Sequence, residues 1–61
     1  MLTKSPIEPD EQAIMALQRL TTGADVRETN GLIDTYRLYC AAGNIGSAGE
    51  AKLNMYRRAR D

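Results

Sequence analysis

The side chains of this chain that could do chemistry are few, and they begin with Cys40, the only cysteine in a sequence that has no histidine. A reactive thiolate needs its pKa lowered by a helix N-terminus or a nearby cation. Cys40 falls instead on the apolar stripe of a helix, close to that helix's C-terminus, where burial raises the pKa and the dipole gives no help. It reads as a core residue. One cysteine also allows no intrachain disulfide, and without histidine no Cys/His zinc set can be assembled. Acid–base work would fall to carboxylates, yet Asp10, Glu11, Asp25, Glu28 and Glu50 all stand where helix starts are expected. Asp34 is spaced to pair with Arg37 at (i, i+3) on the polar side of its helix. The expectation is a non-enzymatic protein with no catalytic residue, no cofactor and no metal.

Lys52, Arg57, Arg58 and Arg60 form the one local charge bias. Residues 31–61 carry five basic and three acidic side chains, whereas residues 1–30 carry three and five. The whole chain balances at net charge zero with a pI near 6.2, so it lacks the cationic field that draws proteins onto nucleic acids or membranes. A recognition helix gathers its bases on one side, but a helical wheel spreads these four around the circumference. Cations near a helix C-terminus follow from the macrodipole alone. The segment 38–56 also fails as a helix-turn-helix, because Gly43-Asn44-Ile45-Gly46 carries a second glycine where an apolar packing residue belongs. Contact of these bases with nucleic acid or an acidic partner is therefore the secondary expectation. No signal-peptide pattern and no run of about 18 apolar residues occurs, which points to a cytoplasmic protein without a membrane partner.

Two spacings organise the rest of the chain. Asp25-Val26-Arg27-Glu28 and Ser47-Ala48-Gly49-Glu50 both read as capping boxes, in which the first side chain accepts from the N3 amide and the N3 carboxylate reaches back. Glycines at 23 and 43 precede them. The pattern predicts an all-α, three-helix domain over 9–20, 26–42 and 48–60. Gly43 is the left-handed residue after the second helix, with Ile45 in apolar contact behind it. Ser5-Pro6-Ile7-Glu8 offers an earlier start for the first helix, and residues 1–5 are expected to be disordered.

Helical spacing places Ala13, Ile14, Ala16, Leu17 and Leu20 on one face of the first helix. Val26, Leu32, Ile33, Tyr36, Tyr39 and Cys40 form the main stripe of the second, which is expected to be the central packing element. Ala48, Ala51, Met55 and Ala59 line up on the third, with Leu53 and Tyr56 beside them. Met15 falls outside the first face. A second stripe of Gly31, Thr35, Leu38 and Ala42 lies on another side of the second helix, either where the third helix docks or where another molecule does.

A chain of 61 residues with only three aromatic side chains, all tyrosine, has a thin core. Such cores rarely supply more than about 3–5 kcal/mol, and small domains commonly add a disulfide, a metal or a partner subunit. With the first two removed, the expectation is a homodimer and a protein–protein interaction module, acting as regulator, adaptor or inhibitor of an unidentified protein. Met15, Gly31, Thr35, Leu38 and Ala42 are its expected contact residues. In size and class it resembles the small accessory proteins of phages and plasmids, an analogy that carries no mechanism.

Overall fold

The computed structural model describes residues 5–60, whose regular structure is helical with no strand among them. The helices are α1 (Glu11–Leu20), α2 (Val26–Ala41) and α3 (Ile45–Arg60), with a 3-10 turn at Gly23–Asp25 before α2. Asp10, at the start of α1, meets Lys52 in the first half of α3, while Leu20 at its end shares a groove with Arg58, Ala59 and Arg60. These two helices therefore run in the same direction. α2 runs antiparallel to both, since its entry at Asp25 and Glu28 is paired to Arg58.

The end of α1 at Leu20, the start of α2 at Val26 and the left-handed Gly43 after α2 fall where the spacing predicts, whereas the caps at the starts of α1 and α3 are other residues. Asp10, not a residue of the first turn, is the N-cap of α1; its Oδ1 accepts from the Ala13 amide at 3.2 Å. The segment before it is non-helical and is pinned by the Ile7 amide donating to the Cys40 carbonyl at 2.7 Å, so the start at Ser5-Pro6 is not used. Asp25 has a helical backbone and makes no cap bond, because the 3-10 turn has already begun the winding that α2 continues. The third helix starts three residues before its predicted position. Asn44 Oδ1 accepts from the Ser47 amide at 3.2 Å, which places Ser47 inside the first turn.

The end of α2 is a Schellman turn. Gly43 has φ of 71°, its amide donates to the Cys40 carbonyl, and the Asn44 amide donates to the Tyr39 carbonyl, each at 3.0 Å. Ile45, expected in apolar contact behind this turn, opens α3 and is 76% exposed. Of the expected disordered stretch 1–5, only Ser5 lies within the described residues, where it is exposed and non-helical.

The core joins Ala13, Ile14 and Leu17 of α1 to Ile33, Tyr36 and Cys40 of α2 and Ala48, Ala51 and Met55 of α3. Here α3, not α2, is the central element, because α1 and α2 each pack on it more than on each other. Its facing line is made of alanines around Met55, and small side chains let two helices approach while the flexible thioether fills the middle. The seam between α1 and α2 is held by polar groups. The Thr21 hydroxyl donates to the Leu17 carbonyl at 2.7 Å, so the buried Thr29 hydroxyl must be the donor in the 3.0 Å Thr21–Thr29 bond. Arg37 spans the same seam in a bidentate pair with Glu11 at 2.8 and 3.2 Å, in place of the expected pairing with Asp34.

Four apolar expectations are overturned along with the central role of α2. Ala16 and Leu20 are exposed, as are Val26 and Tyr39 at the margins of the α2 stripe. A bundle with only two neighbours per helix covers an arc narrower than the stripe the sequence offers.

Candidate interaction surfaces

The outward side of α2 carries Gly31, Thr35, Leu38 and Ala42, all exposed, with Leu38 at 70%. α3 docks beside this stripe and approaches it at Thr35. It lies on the adjacent flank, where Leu32, Thr35 and Tyr39 face Ser47, Glu50, Ala51 and Asn54 across a shallow groove of about 300 Å³. Nothing lies within 4 Å of where a Cβ on Gly31 would stand, so no packing inside the chain requires glycine there. The Thr35 hydroxyl donates to the Gly31 carbonyl at 2.9 Å, which occupies the one side-chain donor of the stripe and satisfies a second time the one carbonyl that glycine leaves uncovered. The result is an apolar face with little polar demand of its own.

Met15, the fifth expected contact residue, is half exposed on α1 and stands apart from that stripe. Helical spacing turns it away from the α1 core line, and the Glu11–Arg37 pair occupies the seam between the two helices. The structure thus brings four of the five residues together and leaves Met15 on a different helix.

The basic cluster is likewise divided. The Lys52 ammonium sits 3.0 Å from Asp10 Oδ2, and Arg58 reaches Glu28 at 3.0 Å and Asp25 at 3.6 Å. Lys52 is pushed above its ordinary pKa by that contact, and Asp10 is held below its own by Lys52 first and the Ala13 amide second. Arg57 and Arg60 are exposed, with no ion-pair partner among the described residues. Two further arginines stand near them that the sequence reading passed over. Arg19 closes α1 and Arg27 opens α2, and the alternating helix directions bring both to the end where α3 finishes. That convergence was available from three helices joined by short turns, but it needs the topology and not the local charge run.

Burial pushes the Tyr36 phenol above its ordinary pKa, and its oxygen accepts from the Asp10 amide at 2.7 Å. Cys40 is buried in the core. Among the described residues, no three His, Cys, Asp or Glu side chains are placed to hold a metal ion, and no helix is long and apolar enough to cross a membrane. Compared with protein-family models, curated proteins and solved structures, the chain matches none.

Proposed function

We propose that this protein is a non-enzymatic, cytoplasmic interaction module that regulates, adapts or inhibits a larger protein by covering part of its surface, and that it is itself a homodimer. The observation that carries the reading is the Gly31/Thr35/Leu38/Ala42 face of α2. A glycine in a helix interior costs up to about 1 kcal/mol relative to alanine. Here, as at Gly49, no described residue fills the space over the glycine. A backbone left bare beside a protruding leucine suits the close approach of another apolar surface. The alternative, a nucleic-acid-associated regulator using Lys52, Arg57, Arg58 and Arg60, has less support because two of those four bases are engaged in ion pairs.

Two substitutions test the α2 face from opposite sides. Gly31→Ala is expected to raise the stability of the dilute monomer by about 0.5–1 kcal/mol, because the new methyl group meets open space in the single chain, while weakening capture of partners from native extract. Leu38→Asp is expected to abolish capture with an unchanged helical circular dichroism spectrum. Capture that survives both changes would remove this face from the function.

A further inference from the structure

The fold sorts the charges that the chain leaves unneutralised. Arg37, Lys52 and Arg58 are tied to carboxylates, whereas Arg19, Arg27, Arg57 and Arg60 are exposed without an ion-pair partner among the described residues. All four belong to one end of the bundle, where α1 finishes, α2 begins and α3 finishes; Arg58 bonded to Asp25 and Glu28, and the groove shared by Leu20, Thr21, Arg58 and Arg60, fix that meeting of ends. Among the described residues, the end holds with Arg58 five arginines against the carboxylates of Asp25 and Glu28. Helix electrostatics accounts for Arg19, Arg57 and Arg60, which lie in last turns. It does not account for Arg27, the second residue of α2, which stands at the positive end of its helix dipole. Leu20, 63% exposed, and the half-exposed Val26 and Tyr56 belong to the same end.

We infer that this end docks an acidic segment of a partner protein in which carboxylates are interspersed with aliphatic side chains. Guanidinium groups grip carboxylates and phosphates alike through paired N–H donors, so the arginines alone specify an anion and no more. The apolar residues among them make the distinction. Leu20 and Val26 gain nothing from a sugar–phosphate backbone, whereas aliphatic side chains laid over them remove apolar area from water and dry the neighbouring ion pairs, which strengthens them. Arginine and tyrosine amid aliphatic surface is also the composition of protein-binding hot spots. The inference rests on the reading of the chain as a protein-binding module and names the chemistry of one partner segment; it concerns the arginine-rich end of the bundle, which adjoins the α2 face at Arg27, one turn before Gly31.

Fluorescence anisotropy of the whole chain with labelled probes tests it, using a synthetic peptide of about 12 residues that alternates Glu with Leu, its Glu/Ser counterpart of equal charge, and an oligothymidine of similar length. At about 50 mM salt the Glu/Leu peptide is expected to bind about tenfold more tightly than either other probe, and to weaken at about 300 mM as screening shortens. The triple change R27A/R57A/R60A is expected to cost about tenfold in its affinity. R27A and R60A alone, on separate helices, each cost a smaller measurable part and carry the test should the triple variant melt. Leu20→Ser is expected to weaken the Glu/Leu peptide and leave the Glu/Ser peptide unaffected. Equal binding of the two peptides, tighter binding of oligothymidine, or wild-type affinity in every arginine variant would overturn the inference. Leu38→Asp should bind the Glu/Leu peptide like wild type. Failure of the wild-type chain to prefer the Glu/Leu peptide while Leu38→Asp still abolishes partner capture would therefore end this inference alone, and capture that survives Leu38→Asp with peptide binding intact would end the α2 reading alone.

Discussion

Asp10 joins three parts of the molecule at one residue. One carboxylate oxygen caps α1, the other meets Lys52 of α3, and its amide donates to Tyr36 of α2. The cap at Asn44 is simpler, a single bond to the Ser47 amide. Asn44→Ala is expected to destabilise by about 1 kcal/mol, whereas Ser47→Ala, inside the first turn, should change stability by a few tenths at most. Urea melts followed by circular dichroism measure both; the reverse order would place the start of α3 at Ser47 after all. The sequence pattern suggested Ser47 because Ser-x-x-Glu is the stronger local signal. What local spacing does not register is that the Schellman turn at Gly43 leaves Asn44 directly outside α2, so its side chain is already positioned to cap the next helix and three more residues wind into α3. Asp25 was misread for a related reason, since the backbone there is helical before α2 formally begins.

At the scale of the elements, α1 is held to α3 by the Asp10–Lys52 contact and to α2 by the Thr21–Thr29 and Glu11–Arg37 bonds. Helix number, the facing line of α3 and the burial of Ile33, Tyr36 and Cys40 were legible from 3.6-residue spacing, which any packed helix must obey. Which helix is central was not legible, because a line of alanines looks weak in sequence yet permits the closest approach. Nor were Thr29, whose burial depends on a hydroxyl eight residues away, and the arginine-rich end, whose members meet only through topology. The Asp10–Lys52 tie gives the fold a pH dependence with a definite sign. Asp10 lies below its ordinary 3.8, so its contribution is present above that value and is lost as pH falls through the lower, folded one. Lys52 lies above its ordinary 10.5 and Tyr36 above 10.0, so their contributions are present below those values and are lost as pH rises through the raised ones. Stability should be flat between about pH 5 and 9 and fall at both extremes. Asp10→Asn keeps an oxygen for the cap and removes the charge, so its acid limb should be shallower than that of the wild type. Superimposable acid limbs in melts across pH would show that the Lys52 contact contributes nothing in solution.

At the scale of the whole molecule, the described residues bury five large apolar side chains, counting Tyr36, and expose eight others. With a core this small a monomer has on the order of 3–5 kcal/mol to work with, and Leu38, Ile45, Leu20 and Leu53 are each more than half exposed. Covering even two such side chains in a symmetric contact returns about 1.5–3 kcal/mol apiece before the cost of association. That gain is comparable with the entire stability of the monomer. If the chain is a dimer, as proposed, folding and assembly are linked by mass action, and the melting midpoint must rise with protein concentration. Light scattering at high micromolar concentration is then expected to report twice the 6.7 kDa chain mass, and the midpoint to fall on dilution by about a hundredfold. Leu38→Asp should remove the concentration dependence while leaving a cooperative, lower transition, because the substituted side chain lies outside the core. A monomeric mass with an unchanged midpoint across that range would mean that the three-helix core is sufficient alone, and that the exposed face of α2 is kept for a different protein.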